Sequence, residues 1–296
     1  MSITISYIIA TKNRLPFLNI TLSKLLTHAN ADEEIVVVDG DSSDGTKEYL
    51  QQLFDQGKIH QYISEPDRNQ AHAWNKAMLM AKGTIIKKII DDDVYDYNAI
   101  RTCANYMLQH PEVDVCISDS LDCILKNYNN IGLSSRLPWF LRWKNGEINT
   151  FTFGDIYLLI RKSSLSYIGL YDTQFKMIDW EYSLRISFLK AKIAYFKGCT
   201  SLSIATPGNV SSTATKKLLK QEGAIGKAKY GYPGDDAETS FYSRFKIAIG
   251  ALLYNTKAKP ASNTTIPSES DLQKIYAQLY TVLQKHNGIN TGEIIS

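Results

Sequence analysis

Strand-like apolar runs and helical stripes alternate through the first 117 residues, and this order restricts the fold more than any other feature of the chain. Five runs rich in β-branched and apolar residues are predicted as strands, over residues 3–10, 34–39, 58–64, 84–90 and 113–117. Apolar residues at helical spacing lie between them. Repeated strand–helix units predict a Rossmann-like α/β fold, with a mostly parallel sheet flanked by helices.

The predicted helices between these strands have identifiable starts. Pro16 suits the first turn of a helix that carries a leucine stripe from Leu15 onwards. Ser43 or Asp44 is the expected N-cap of a helix over residues 44–54. A third stripe starts at Ala71, and a fourth helix is predicted over residues 98–109.

The strand–helix rhythm weakens in the second half of the chain. Residues 119–150 show no clear period, and they are followed by a predicted strand (155–161), a helix (179–189) and a short strand (192–196). After residue 206 the pattern is purely helical and more basic, with a linker over 257–270 and a final amphipathic helix. We therefore expect a catalytic domain over residues 1–210 and a C-terminal helical extension over residues 211–296.

Composition excludes several classes of protein. The net charge of +3 is too small to indicate nucleic-acid binding. No apolar run reaches the length of about 18–20 residues that a membrane span needs, and the N-terminus lacks the basic start of a signal peptide. The four cysteines show no zinc spacing, so we expect reduced, buried thiols in a cytoplasmic protein.

Two acidic clusters follow predicted strands. The first begins with Asp39, the last residue of the run EIVVVD, and includes Asp41; the second is Asp91, Asp92 and Asp93, directly after TIIKKII. Ligands of open α/β sheets bind outside the carboxyl ends of the strands, so both turns are expected at one edge of the sheet.

The acidic triplet favours a metal-bound nucleotide. A diphosphate is anionic, so three adjacent carboxylates require a bridging cation, and oxygen-only ligands favour Mn²⁺ or Mg²⁺. The competing interpretation of both clusters is a solvated turn. A third acidic segment begins at Asp179, where a simple acidic first turn of a helix is the alternative.

Four segments in order resemble the family-2 glycosyltransferases, which have the GT-A fold. The segments are SYIIATKNR (6–14), VVVDGDSSDGT (36–46), SEPDRNQAHAWNKA (64–77) and DWEYSLR (179–185). They are similar to the family's PTYNR turn, its VVDDGSTDGT block, its E-x-D-x-G-x-x-x-A-x-N-K-G segment and its ED-W-D block. Two positions depart from the pattern, because Ile178 replaces the usual Glu and Ala77 the usual Gly.

The resemblance implies an inverting transfer of a hexose or N-acetylhexosamine from a nucleoside-diphosphate sugar, by default a UDP-sugar, to an acceptor hydroxyl of a glycan or lipid-linked acceptor. Asp179 is then the general base. The family's DxD metal site falls in the triplet, where counting back from Tyr95 favours Asp92 and Asp93 as ligands while all three acids remain candidates. The nucleotide is expected to contact the following residues: Thr11, Asn13, Arg14, Asp39, Asp41, Arg68, Asn75, Lys76 and Asp91.

Other functions remain as alternatives. A metal-dependent nucleotidyltransferase also uses aspartates at strand ends, and a decayed transferase would bind a nucleotide sugar without turnover. The apolar, partly basic segment 241–254 and the aromatic, basic segment 136–144 suggest peripheral contact with the inner face of the cell membrane. Packing of segment 241–254 on the catalytic domain or on the second subunit of a homodimer is the competing expectation.

Overall fold

The computed structural model describes residues 3–207, 215–232, 266–289 and 292–296. Its N-terminal part is a run of strand–helix units: β1 (Ile5–Thr11), α1 (Leu15–His28), β2 (Glu33–Asp39), α2 (Thr46–Asp55), β3 (Gln61–Ser64), α3 (Gln70–Met80) and β4 (Ile85–Ile89). The four strands are parallel neighbours in the order β3-β2-β1-β4. Every residue of β2 is buried, as expected for a parallel strand covered on both faces.

The second half of the chain extends the sheet with mixed directions. Its elements are β5 (Val94–Tyr95), α4 (Tyr97–Gln109), β6 (Val115–Ile124), β7 (Asn127–Ser134), α5 (Leu137–Lys144), β8 (Leu159–Arg161), α6 (Leu165–Ile168), α7 (Ile178–Phe188) and β9 (Ile193–Ala205). β8 lies antiparallel between β4 and β6, and β6 and β9 are parallel. The predicted class, an α/β sheet flanked by helices, is confirmed, and the parallel half is the half that carries the acidic turns.

Three predicted details are wrong. α2 begins at Thr46 with Gly45 as its N-cap, and Asp44 instead accepts hydrogen bonds from Thr46 N and Oγ1 ahead of the helix. Residues 119–150 are regular, because β6 continues to Ile124, turns into β7 and is followed by α5. The strand predicted over 192–196 runs on to Ala205.

The described part of the C-terminal region comprises α8 (Lys216–Tyr230), α9 (Glu269–Ile289) and the short strand β10 (Ile294–Ile295), so the region is not purely helical. β10 pairs with β9, and α9 packs on α1, β5 and β9. The predicted amphipathic stripe of α9 is buried at Leu272, Ile275 and Leu279. The domain boundary at residue 210 stays a prediction, and segment 241–254 lies outside the described residues.

All four cysteines are buried and free, as expected. Among the described helices, none is long and apolar enough to cross a membrane.

Candidate active site

Two cavities adjoin at the carboxyl ends of β1 and β4. The first, of about 380 Å³, is lined by the end of β1, the start of α3 and the turn after β4: Ala10, Thr11, Lys12, Arg14, Asp67, Asn69, Gln70, Ala73, Trp74, Ile90, Asp91 and Asp92. The second, of about 180 Å³, is lined by residues that include Lys88, Asp93, Asp155, Lys176 and Asp179. Gln70, Ile90 and Asp92 line both cavities, so the two spaces meet beside the acidic triplet. The first cavity falls within the size range of small-ligand sites.

The three acids after β4 are held in different ways. Asp91 Oδ2 accepts a hydrogen bond of 2.6 Å from Thr11 at the end of β1. Asp92 accepts hydrogen bonds from Arg14 and from Thr206 just after β9. Asp93 Oδ1 accepts a 2.7 Å bond from the backbone of Ile204, because β5 pairs with β9 and brings that strand against the turn.

Helix α9 also contacts the turn after β4. The Tyr276 hydroxyl donates a 2.6 Å hydrogen bond to the backbone carbonyl of Asp92. Asn287, farther along α9, donates to the carboxylate of Asp96, which caps α4, and to the carbonyl of Cys199 in β9. The C-terminal helix therefore fixes the backbone on both sides of β5.

Burial raises the pKa values of all three carboxyl groups of the triplet. Burial and the neighbouring charge of Asp92 raise the pKa of Asp91 to about 7, although Arg14 opposes the shift. Burial likewise raises the pKa of Asp92 and, well above its usual range, that of Asp93. Ionisation of all three carboxylates requires more positive charge than Arg14 alone supplies, and a divalent cation would supply it.

The donor set fits a cation that is shared with a ligand. Within the part of the chain that the structure describes, no three His, Cys, Asp or Glu side chains form a protein-only metal cage. Mg²⁺ and its analogues are commonly held by one or two carboxylates together with substrate phosphates. Asp92 and Asp93, which both line the second cavity, have the chemistry for that mode of binding.

Asp179 faces the triplet across the second cavity. It lies in the first turn of α7, is half-buried, and accepts a 2.9 Å hydrogen bond from the backbone of Trp180. Burial, followed by the charge of Asp155, raises the pKa of Asp179 to about 6, and Lys88 opposes the shift. A carboxylate with such a pKa is suited to accept a proton near neutral pH.

Helix α8 holds the start of α7 in place. Met177, the N-cap of α7, provides no side-chain cap. Glu222 of α8, a buried carboxylate, accepts hydrogen bonds of 2.7 Å and 3.0 Å from the backbone N–H groups of Lys176 and Met177. Tyr230 of α8 also donates to buried Glu181 of α7. The position of Asp179 thus depends on a helix more than 30 residues further along the chain.

Replacing Glu222 by alanine is expected to lower the free energy of unfolding by about 1–3 kcal/mol, because two backbone donors lose a charged acceptor. Denaturant unfolding measures this difference. The matched control is Gln221→Ala, an exposed neighbour on the same helix, which should change stability little. Equal stabilities of the two variants would contradict the role of Glu222.

Five of the predicted site residues line these cavities beside Asp179: Thr11, Arg14, Asp91, Asp92 and Asp93. The triplet and Asp179 thus lie in the walls of two adjoining cavities, whereas Asp39, which was expected to converge with them, lines neither. Asp39 is fully buried, and its oxygens accept hydrogen bonds from Ser42 and Ser64.

The remaining predicted residues do not line either cavity. Asn13 binds the backbone of Ser43, and Asp41 is exposed beside Lys47. Arg68 is exposed. Asn75 makes two 2.9 Å hydrogen bonds with the backbone of Tyr171.

Lys76 likewise lies outside the cavities, with its Nζ atom 2.7 Å from Asp67 and 2.9 Å from Glu65. Nucleotide contacts of these residues stay predictions.

The predicted site residues do not include several polar residues of the cavity walls, among them Asp67, Gln70, Lys88 and Asp155. Asp67 lies within the family-like segment 64–77, in which Arg68, Asn75 and Lys76 were the predicted nucleotide contacts. Lys87 and Lys88 interrupt an otherwise apolar strand, and two charges inside a buried strand are the signal that was available. Asp155 gives no comparable local signal, because its partner is 67 positions away.

Comparison with known proteins identifies the family of the chain. The sequence model of glycosyl transferase family 2 matches residues 6–169, which include β1, β2, β4 and the acidic triplet. The chain belongs to this family. It accordingly has the GT-A fold of that family.

Curated relatives of this family-2 chain include two poly-β-1,6-N-acetyl-D-glucosamine synthases from Staphylococcus epidermidis. Each is 24% identical, over 200 and 198 residues respectively, and each match covers 64% of this chain. The chain spans about half the length of these curated relatives, at 47%.

Solved structures share the fold at low identity. S. aureus TarS 1–349 in complex with UDP-GlcNAc superposes with a TM-score of 0.61 and 14% identity, covering 96% of this chain and 81% of that one. The mannosyltransferase PcManGT from Pyrobaculum calidifontis, in complex with GDP-Man and Mn²⁺, gives a TM-score of 0.53 and 15% identity, covering 98% and 88%.

Proposed function

We propose that this chain is an inverting, metal-dependent transferase that moves a sugar, with UDP-N-acetylglucosamine as the leading donor, to a hydroxyl of a glycan or lipid-linked acceptor. The observation that carries the proposal is the pair of adjoining cavities with Asp92 in the wall of both and Asp179 in the wall of the second. The choice of donor comes from relatives that are named for N-acetylglucosamine polymer synthesis or solved with UDP-GlcNAc.

The first cavity is assigned to the nucleotide diphosphate. Lys12 and Arg14 give its wall positive charge, and α3 begins there with Asn69 as its cap. Cations and the N-terminal end of a helix both favour an anionic group. Asp91 and Asp67, in the same wall, are acceptors for donor hydroxyl or ring N–H groups.

The second cavity is assigned to the donor sugar and the acceptor hydroxyl. The Asp179 carboxylate accepts the proton of the acceptor hydroxyl. As it does so, the hydroxyl oxygen attacks the anomeric carbon from the face opposite the diphosphate. The bond to the diphosphate breaks as the new glycosidic bond forms, so the anomeric configuration inverts. In the transition state of this displacement, the sugar ring carries positive charge and resembles an oxocarbenium ion.

Departure of the diphosphate requires positive charge at the meeting point of the cavities. Asp92 and Asp93 are the proposed ligands of Mn²⁺ or Mg²⁺, which would neutralise the charge that grows on the leaving group. Arg14 binds Asp91 and Asp92 and so holds the turn after β4 in place.

A donor panel tests the proposal. The full chain is incubated with UDP-GlcNAc, UDP-glucose and GDP-mannose, each with Mn²⁺ or with EDTA, and thermal unfolding and release of nucleoside diphosphate are followed. A donor at about 100 times its dissociation constant should add about 2.7 kcal/mol to the free energy of unfolding, and only with metal. Absence of metal-dependent stabilisation by every nucleotide sugar would refute the proposed function.

Membrane contact, homodimer formation and a site of action at the inner face of the cell membrane stay proposals. Sedimentation of the full chain with anionic liposomes at low salt tests the first, and gel filtration with light scattering tests the second.

A further inference from the structure

A buried ion pair lies in the wall of the second cavity, and the proposed chemistry does not use it. Lys88 of β4 binds the carboxylate of Asp155, in the loop before β8, and both side chains are less than 10% exposed. The Tyr171 hydroxyl donates a 3.0 Å hydrogen bond to the same Asp155 oxygen. Both ions line the cavity that contains Asp179.

The pair is held rigidly by aromatic groups. The Lys88 ammonium lies 4.1 Å from the ring centre of Trp74 and 5.2 Å from that of Tyr171. Asn75 binds both backbone groups of Tyr171, which fixes the loop that presents this ring. Charges in fixed positions within a poorly solvated wall act on a neighbouring carboxylate more strongly than mobile surface charges.

We infer that Lys88 and Asp155 form a positioning pair for Asp179, fixing the charge of the cavity wall against which the base accepts a proton. This inference rests on the proposed function, because it gives the pair its role through Asp179. Asp155 repels the ionised base and keeps it receptive to a proton, while Lys88 limits that repulsion so that the base stays ionised near neutral pH. Neither side chain touches the reacting atoms in this assignment.

Other charged and titratable groups also face Asp179 from the surrounding elements. They are Asp92 and Asp93 in the turn after β4, Tyr157 in the loop before β8, Tyr171, Lys176 before α7, and Glu222 of α8, which binds the backbone at residues 176 and 177. Lys88 and Asp155 differ from them in forming a closed pair of opposite charges within the wall, so each charge can be removed separately.

Asp155→Asn and the double variant Lys88→Met/Asp155→Asn test the pair. Asp155→Asn keeps the shape and the cation but removes the repulsion, so the acid limb of kcat/KM against pH should move down by about one pH unit. The double variant removes both charges, and its limb should lie between those of Asp155→Asn and the unaltered chain. It also retains a neutral wall if Asp155→Asn proves unstable. Asp172→Asn, at a carboxylate outside the cavity, is the matched control and should leave the limb in place.

A second measurement follows the ionisation of Asp179 directly by ¹³C NMR, with Asp179→Asn used to assign its signal. The titration midpoint of Asp179 should fall in Asp155→Asn, whether or not sugar transfer is detected. A midpoint that stays the same or rises would overturn the inference. Failure of the proposed function is seen separately, as retained transfer by Asp179→Asn or as no metal-dependent donor binding.

Discussion

Asp179→Asn is expected to lower the rate of sugar transfer by about 10²–10⁴-fold, because asparagine cannot accept the proton of the acceptor hydroxyl. The substitution keeps the size of the side chain, and Asn retains an oxygen to accept the hydrogen bond from the Trp180 backbone. Donor and metal binding should therefore persist. Steady-state transfer kinetics and donor-induced thermal stabilisation measure the two effects separately.

The pH dependence of the unaltered chain belongs to the same prediction. Burial and Asp155 raise the pKa of Asp179 to about 6, and only the ionised form accepts a proton. Transfer should therefore rise as the pH increases through about 6 and level off above it. Asp172→Asn should follow the same profile at the same rate, whereas transfer by Asp179→Asn at the unaltered rate would remove Asp179 from the role of base.

Asp92→Asn is expected to abolish metal-dependent stabilisation by the donor and to lower transfer by about 100-fold or more, equivalent to a few kcal/mol of lost charge stabilisation. Asp92 lines both cavities and, with Asp93, is a proposed metal ligand. Loss of its negative charge removes one of the two carboxylates that would hold the cation against the diphosphate. Thermal shift with and without Mn²⁺ and a transfer assay measure the outcome.

Chelation provides an internal check on the role of Asp92. EDTA and the Asp92→Asn substitution should each remove most of the activity. EDTA should lower the activity of the variant little further, because chelation and substitution remove the same interaction. Asp55→Asn, an exposed carboxylate on α2, is the control and should remain fully sensitive to EDTA. Equal, additive losses from chelation and substitution would show that the metal binds elsewhere.

The C-terminal helices belong to the site even though they lie far from its motifs in sequence. Tyr276 of α9 binds the backbone carbonyl of Asp92, and Asn287 of α9 binds the carboxylate of Asp96. Glu222 of α8 binds the backbone at the start of α7, and Tyr230 of α8 binds Glu181. Glycine at position 226 of α8 allows this close contact, because a Cβ atom there would lie 2.3 Å from the Trp180 ring. Truncation within this region is therefore expected to disturb catalysis as well as stability.

Part of the site could be predicted because its signals are local. The apolar runs of β1, β2 and β4 are buried on both faces, and acids that directly follow such strands must lie at their carboxyl ends. The start of α7, which carries Asp179, was predicted because its helical pattern is local to residues 179–189. The alternation of elements then gave the correct fold class.

Strands β5 and β6 were not fully predicted, because they depend on pairing with the distant strand β9. β6 contains Ser118 and Ser120, which make the sequence look like a loop, yet they bond across to Thr200 and Ser201 in β9 and are buried without cost. β5 is only two residues long and exists because β9 pairs with it.

The sequence by itself determined the buried strands β1, β2 and β4 and the acidic turns at their ends, since short-range hydrophobic patterns set where strands end. The resemblance to family 2 supplied the proposed base and metal ligands. Only the tertiary structure decided that Lys88 pairs with Asp155 and that Asn75 binds the backbone of Tyr171. It also decided that α8 binds the start of α7 and that α9 binds the acidic triplet. Such contacts join residues 45 to 184 positions apart, and a buried charge or donor is satisfied by whichever group the fold brings to it.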